Sequence, residues 1–217
     1  MSDIITLDMN TPSVQYLCRK DKRLAKVINM VGSISYTTLD GENAYSFLIH
    51  EVIEQMLSIK AGKKIYERLV DLCNDDVTPF KMNQLSDEQI KSIGTSNSKV
   101  RYIRSITDAV INGTLNFEKL HCLSDNDALH ALTKIQGIGK WTAKMYLIFV
   151  LDRQDILPYE DVAFLQTYRW VYKTDVVLPE YVKKKCSKWK PYSSIAARFF
   201  YKALDEGMTK EEFHLYK

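Results

Sequence analysis

The chain has 217 residues, of which 46% are hydrophobic, and this is enough apolar material for a substantial core. Its 30 basic and 27 acidic residues nearly cancel, so the net charge of +3 permits a polyanionic partner without requiring one. The first ten residues lack a secretion signal, no uncharged run is long enough to span a membrane, and the four cysteines form no CxxC pair. These features argue against a secreted, membrane-spanning or zinc-binding protein and predict an intracellular one.

Apolar residues recur mainly at helical spacing, and the eight glycines and five prolines leave few sites for strand hairpins. The sequence therefore predicts an all-α fold, in which the first strong helix covers 21–31 and only 33–38 forms a short strand. A long helical tract over 43–72 is expected to break near Gly62. Further helices are predicted at about 86–93, 99–111, 125–135, 140–151, 162–172, 179–189 and 192–206.

The segment Gly137-Ile138-Gly139 lies between two predicted helices, and the second of these begins at Lys140. Glycine adopts backbone angles closed to other residues, and the first N–H groups of a helix have no partner within it. The turn can therefore bind a phosphate group through its backbone. The same glycines also suit a tight turn that binds no ligand, and spacing alone leaves both interpretations open.

Asp161 follows a turn that begins at Pro158, and it precedes the predicted helix 162–172. An aspartate in this position is a common helix N-cap, and a carboxylate fixed there can also take part in chemistry. Glu160 is a neighbouring candidate for the same chemical role. The local sequence alone does not separate a cap from a catalytic group.

The densest basic run contains five lysines between positions 183 and 190. Such a run usually forms a solvated helix face. It can equally form part of a surface that faces phosphate groups.

The run 135–143, followed by 155–161, resembles the helix-hairpin-helix and the Gly/Pro-rich, Asp-containing loop of a superfamily of DNA glycosylases. Three further segments resemble the 3-methyladenine DNA glycosylase II group in particular: 52–58 with Ala61, Ile93-Gly94 followed by Lys99, and 189–194. The matches occur in order between residues 21 and 205, so the resemblance covers most of the chain. It implies a two-lobed helical fold that lacks the N-terminal β-rich lobe of longer relatives.

This resemblance implies that Asp161 is the catalytic carboxylate, which can stabilise an oxocarbenium-like sugar. Trp141 stands where members that also cut the DNA backbone have a lysine for Schiff-base formation, so the resemblance implies hydrolysis without strand cleavage. Lys140 and Lys144 lie nearby and leave a displaced lyase lysine as an alternative.

The resemblance also assigns a base pocket and a wedge. Trp141, Met145 and Tyr201 occupy positions that line the pocket, where the indole can stack on an electron-poor base. Met145 replaces a tyrosine that is frequent among close relatives. Met56, with Gln55 beside it, falls where the family inserts a wedge into DNA, and both are expected in the middle of a helix. A methionine that fills a core gap would have the same sequence signature.

The hairpin residues of this family contact the DNA backbone, and five positions here match them: Gly137, Ile138, Gly139, Lys140 and Thr142. Main-chain carbonyls at Thr133, Ile135 and Ile138 match positions that bind a monovalent cation, Na⁺ or K⁺, in many relatives. Gln136 replaces the proline that commonly precedes the first hairpin glycine. Some branches bind an iron–sulfur cluster through four closely spaced cysteines, and the isolated Cys186 predicts none here.

The resemblance thus implies a monofunctional DNA glycosylase that flips alkylated purines, such as 3-methyladenine and 7-methylguanine, out of duplex DNA and hydrolyses the N-glycosidic bond. One unit over 1–217 is expected, made of two intertwined lobes, with the hairpin motif at about 125–151 and the Asp loop at about 152–162. We expect a monomer that binds double-stranded DNA, needs no cofactor and resides in a bacterial cytoplasm or a nucleus. A bifunctional glycosylase and lyase, and a noncatalytic DNA-binding protein, remain as alternatives.

Overall fold

The computed structural model describes residues 4–39 and 41–216, and this part of the chain is mostly α-helical, which confirms the all-α prediction. Strands β1 (Ile4–Leu7) and β2 (Ile34–Thr37) form an antiparallel pair, with Ile4 opposite Thr37. Single 3₁₀ turns cover Ser187–Trp189 and Met208–Lys210. The helices are α1 (Pro12–Lys20), α2 (Lys22–Val31), α3 (Gly41–Glu54), α4 (Ile59–Leu72), α5 (Pro79–Gln84), α6 (Asp87–Ser92), α7 (Asn97–Ile111), α8 (Phe117–Cys122), α9 (Asp125–Thr133), α10 (Lys140–Phe149), α11 (Val162–Tyr172), α12 (Pro179–Cys186) and α13 (Ser193–Asp205).

The chain divides into two compact units, and the first of them combines Met1–Thr38 with Asp152–Lys217. Its core is built where α11 and α13 pack against each other and against α2. Three fully buried aromatic side chains meet there, because the ring of Phe200 lies 5.4 Å from that of Phe164 and 5.3 Å from that of Trp189. One of these rings, Phe164, lies on α11, the helix that follows the loop 152–161.

The second unit comprises Leu39–Leu151, and α3 is its central helix. This helix packs against α4, α7, α8 and α10, and its apolar side chains Leu48, Ile49 and Val52 are fully buried. Helix α10 is buried from Thr142 to Ile148, as its almost continuous apolar sequence predicts.

Several local predictions were wrong. Strand β1 and helix α1 precede the expected first helix, and α5 and α8 occupy segments for which no helix was predicted. The tract 43–72 breaks at residues 55–58, between α3 and α4, whereas Gly62 lies inside α4. Gln55 and Met56 are therefore loop residues, not residues in the middle of a helix.

Candidate functional site

The hairpin between α9 and α10 requires glycine at position 137. Gly137 has a φ of +99°, which residues with a side chain rarely adopt. A Cβ atom at this position would lie only 2.4 Å from the Cβ of Tyr102, a residue of α7. The backbone of the hairpin therefore lies directly against α7. This contact sets the position of the hairpin, and no pattern in the sequence predicted it.

The N-terminal end of α10 is open. Gly139 is its N-cap residue, and within the described chain no side chain caps the helix and no acidic residue lies in its first turn. A Cβ atom built on Gly139 would meet nothing within 4 Å. The first N–H groups of a helix have no acceptor within it, and together with the positive end of the helix dipole they form a surface that suits an anion; the exposed Lys140 side chain adds a charge beside it.

Two other predicted backbone-binding residues have buried side chains. Ile138 is 3% exposed and Thr142 is 1% exposed, so both can offer only main-chain groups to a ligand. The Thr142 hydroxyl instead accepts a hydrogen bond of 3.1 Å from the side-chain amide of Gln55. Thr142 therefore supports the hairpin from inside the unit.

The carbonyl groups predicted to bind a cation lie at the C-terminal end of α9 and in the turn that follows. The oxygen of Ile135 accepts a hydrogen bond of 3.1 Å from the N–H of Ile138, which occupies one of its two lone pairs. Thr133 is the last residue of α9, where carbonyl oxygens carry the negative end of the helix dipole. Neutral oxygen atoms in this field fit a small hard cation.

The loop between α3 and α4 presents Met56 to solvent. Met56 is 101% exposed and has a φ of +58°, an unfavourable conformation for a residue with a side chain. Leu57 beside it is 40% exposed, and Ser58 caps α4 by accepting a hydrogen bond from the N–H of Ala61 at 3.3 Å. A large apolar side chain is thus held at a loop tip, which is the arrangement that a DNA wedge requires.

Gln55 occupies a different position from Met56. Its side-chain amide donates hydrogen bonds to the carbonyl oxygen of Gly137, at 3.0 Å, and to the hydroxyl of Thr142. The side chain is partly buried against the hairpin and does not project from the loop tip. Of the two predicted wedge residues, only Met56 presents its side chain to solvent.

Asp161 lies in the first unit and is the N-cap residue of α11. Its Oδ1 atom accepts a hydrogen bond of 2.7 Å from the N–H of Phe164, and the residue is only 6% exposed. The main chain turns immediately before it, because the Asp161 N–H donates to the Pro158 carbonyl at 3.0 Å. The carboxyl group consequently has one fixed orientation at the end of a rigid helix.

The N-terminal end of α13 anchors the loop that carries Asp161. The hydroxyl of Ser194 accepts the N–H of Ile156 at 2.9 Å, and the Ser194 N–H donates to the Gln154 carbonyl at 3.0 Å. The hydroxyl of Ser193 donates to the carboxylate of Asp155 at 2.5 Å. Ser193 and Ser194 therefore fix both the side chains and the main chain of the loop, a function that the sequence pattern alone did not reveal.

The remaining residues of the predicted pocket differ in burial. Trp141 and Tyr201 are both half-buried, Trp141 on α10 in the second unit and Tyr201 on α13 in the first. Met145 is only 4% exposed and Lys144 only 8% exposed, so neither side chain is accessible from solvent in this structure. Of the two lysines near Trp141, only Lys140 is exposed.

The lysines between positions 183 and 190 have contrasting surroundings. The ammonium group of Lys183 lies 4.0 Å from the centre of the Tyr159 ring, in the loop that carries Asp161. The ammonium group of Lys188 lies 3.0 Å from the buried carboxylate of Asp21. The three others, Lys184, Lys185 and Lys190, are exposed.

Residues 4–39 and 41–216 contain no group of three or more His, Cys, Asp or Glu side chains that could hold a metal ion. Within the same residues, every helix is too short or too polar to cross a lipid bilayer. The cysteines at positions 18, 73, 122 and 186 are all free thiols.

Comparisons with known proteins identify a matching family and similar structures. The family model of the HhH-GPD superfamily of base excision DNA repair proteins matches residues 49–191. DNA-3-methyladenine glycosylase 1 of Schizosaccharomyces pombe is 29% identical over 192 residues, which is 86% of this chain and 84% of that protein. The crystal structure of DNA-3-methyladenine glycosidase from Bacillus halodurans has a TM-score of 0.82 at 29% identity and covers 97% of both chains. The structure of the S. pombe 3-methyladenine DNA glycosylase in complex with abasic DNA has a TM-score of 0.84 at 27% identity, covering 95% of this chain and 100% of that chain.

Proposed function

Because the chain belongs to the HhH-GPD superfamily of base excision DNA repair proteins, we propose that it removes alkylated purines from duplex DNA by hydrolysing the N-glycosidic bond. The observation that carries this proposal is Asp161, a carboxylate oriented by the N–H of Phe164 at the start of α11. The similar proteins described above are named DNA-3-methyladenine glycosylase or glycosidase, which supports alkylated purines as the substrate class.

The chemistry follows from the instability of the bond. Alkylation at a ring nitrogen gives the purine a positive charge, so the bond to C1′ breaks readily and its electron pair leaves with the base. The sugar then carries positive charge, which the Asp161 carboxylate stabilises, and water adds to C1′ and loses a proton. The target nucleotide must first leave the base stack, because its C1′ atom is inaccessible within the duplex.

Met56 and Trp141 have distinct parts in this proposal. Met56 enters the space that the flipped nucleotide leaves, since it is a large, exposed apolar side chain at a loop tip. The indole of Trp141 stacks on the flipped base, where attraction between a cation and an aromatic ring favours alkylated over ordinary purines. The hairpin binds the DNA backbone through main-chain N–H groups near Gly139.

The proposed enzyme is monofunctional, because Trp141 has no amine with which to form a Schiff base. Lys140 is the exposed amine nearest to it in the sequence. Borohydride treatment during base release should therefore trap no covalent complex between protein and DNA. A trapped complex that disappears in Lys140→Gln would instead establish a bifunctional glycosylase.

A monovalent cation is proposed at the carbonyl oxygens of Thr133, Ile135 and Ile138. It would supply positive charge beside the phosphate that the hairpin binds. Exchange of K⁺ or Na⁺ for tetramethylammonium at constant ionic strength should weaken DNA binding if the site is used. Equal affinity in all three salts would remove the cation from the proposal.

The decisive experiment replaces Asp161 by asparagine and measures single-turnover base release. Asparagine is also a good N-cap, so α11 and the fold should persist. We expect the rate to fall by at least about 100-fold while DNA affinity is retained. Substrates should include 3-methyladenine, 7-methylguanine, ethenoadenine and hypoxanthine, and release of none of them by the wild-type protein would favour a noncatalytic DNA-binding module.

A further inference from the structure

The loop that carries Met56 is fixed by a lysine from another helix. The ammonium group of Lys99 donates hydrogen bonds to the carbonyl oxygens of Ile53 and Gln55, both at 2.7 Å. These carbonyls lie at the C-terminal end of α3, where main-chain acceptors have no partner within the helix. Lys99 therefore ends α3 at a defined residue and sets the direction in which the chain continues to Met56.

Gln55 connects the same loop to the hairpin. Its main-chain carbonyl binds Lys99, while its side-chain amide donates to the Gly137 carbonyl and the Thr142 hydroxyl. The residue immediately before Met56 is thus tied to α7 through its main chain and to the hairpin through its side chain. No other residue of the described loop makes both connections.

Helix α7 supports both partners. Lys99 and Tyr102 are three residues apart, so they lie on the same face of this helix. Lys99 holds the loop, and Tyr102 lies directly against Gly137 of the hairpin. The loop and the hairpin are therefore fixed to one rigid element as well as to each other.

We propose that Lys99 and Gln55 are positioning residues that join the Met56 loop to the hairpin, so that a phosphate bound by the hairpin places Met56 at a fixed point in the DNA stack. This inference rests on the proposed function of the hairpin and of Met56. Insertion into a base stack requires a preorganised side chain, because any mobility of the loop must be lost on binding. The backbone of Met56 has an unfavourable conformation, which persists only where the surrounding contacts hold it in place.

The test uses insertion itself as the readout and needs no catalysis. A duplex with a tetrahydrofuran abasic site carries 2-aminopurine as the neighbouring base, whose fluorescence rises when it is unstacked. Gln55→Glu removes the amide donors without changing the size of the side chain, and Lys99→Met removes the ammonium group but keeps an apolar stem. At saturating protein, both variants should give less than about half of the wild-type fluorescence change while the Kd stays within about threefold.

Arg68→Met is the matched control, because Arg68 donates to the carbonyl of Ile93 at 3.0 Å and so ends another helix of the same unit. This variant should lose a similar helix cap and retain the full fluorescence change. Lys99→Arg keeps a charged donor and should recover most of the signal. If Lys99→Met does not fold, the isosteric Gln55→Glu still tests the proposal.

Single-turnover base release provides a second readout. The rate on duplex DNA should fall about tenfold or more in Gln55→Glu, whereas the rate on single-stranded DNA of the same sequence should change little, because no stack has to be opened. An unchanged fluorescence signal in both variants, an equal loss in Arg68→Met, or equal rate losses on both substrates would overturn the inference. A wild-type protein that inserts Met56 but releases no base would overturn only the proposed function.

Discussion

Replacement of Gly137 by alanine should destabilise the second unit strongly, because two independent penalties coincide at this residue. An L-amino acid pays about 1–2 kcal/mol in a left-handed conformation, and the φ of Gly137 is +99°. The new Cβ atom would also lie 2.4 Å from the Cβ of Tyr102, and overpacking of this kind costs typically about 1–3 kcal/mol. We therefore expect the free energy of unfolding to fall by about 2–5 kcal/mol.

Urea denaturation followed by circular dichroism measures this change, and Gly139→Ala is the internal control. Gly139 has a φ of −83°, and a Cβ atom there would meet nothing within 4 Å. Its replacement should alter the free energy of unfolding by less than about 1 kcal/mol. The double variant Gly137→Ala, Tyr102→Gly should be more stable than the sum of the two single changes predicts, because the contacts with Cβ and Cγ of Tyr102 are removed while the backbone penalty at position 137 remains.

Equal stability of Gly137→Ala and Gly139→Ala would refute this expectation, because the hairpin would then adopt another backbone conformation in solution. A double variant that is less stable than Gly137→Ala by the full cost of removing the tyrosine would refute it as well. In that case, α7 would not limit the position of the hairpin, and Tyr102 would not support the hairpin on the helix that carries Lys99.

Three further predictions concern the first unit. Burial acts to raise the pKa of Asp21, but hydrogen bonds from Tyr172, Trp189 and Lys188 outweigh it and hold this pKa below its usual range. Asp21→Ala should therefore lower the free energy of unfolding by about 3–5 kcal/mol near neutral pH. Urea titrations should show that this loss of stability becomes smaller as the pH falls below about 4, where the wild-type carboxylate is protonated. Ser194→Ala should lower the free energy of unfolding by about 1–3 kcal/mol and the rate of base release, with an unchanged DNA Kd in fluorescence anisotropy. Replacement of Lys184, Lys185 and Lys190 by glutamine should reduce the slope of log Kd against log salt by about 0.9 for each DNA phosphate that these exposed lysines neutralise. The control is the same change at three exposed lysines of the second unit, Lys64, Lys91 and Lys119, which should leave the slope unchanged.

The lysine prediction follows from the distribution of charge. The first unit contains 17 Lys and Arg against 13 Asp and Glu, whereas the second contains 13 against 14. The hairpin thus lies in a unit without excess positive charge, so the phosphate binding proposed for it would rest on hydrogen bonds and the helix dipole. Long-range attraction to DNA, which gives binding its salt dependence, must come mainly from the first unit.

Local sequence signals predicted a helix correctly where a capping residue and an apolar pattern coincide. Helix α11 begins and ends at the predicted residues because Asp161 caps it and Lys173, with a φ of +50°, ends it. The hairpin was predicted from Gly137 and Gly139, although only Gly137 has a backbone angle that requires glycine. Strand β1 was missed because its four residues gain a partner only by pairing with β2, far along the chain.

The break in the tract 43–72 shows why the rest could not be predicted. A glycine inside a helical pattern suggested Gly62, yet a Cβ atom there would lie 2.8 Å from the Glu54 side chain, so this glycine permits close packing of α4 against α3. The observed break at residues 55–58 depends on Lys99, which donates hydrogen bonds to the carbonyls at the end of α3 although it lies more than 40 residues further along the chain. Only Ser58, the cap of α4, was a local signal of the correct position.

In the proposed mechanism, the segment 189–194 acts through the position of Asp161. The indole N–H of Trp189 donates to the Asp21 carboxylate at 3.0 Å, and its ring packs against Phe164, the residue whose N–H orients Asp161. A few residues further on, Ser194 fixes the loop on the other side of Asp161. Trp189 and Ser194 are both buried, so the part that the proposed mechanism gives them is to keep the Asp161 carboxylate in one orientation. Changes in this segment should therefore reduce the rate of base release more than the affinity for DNA.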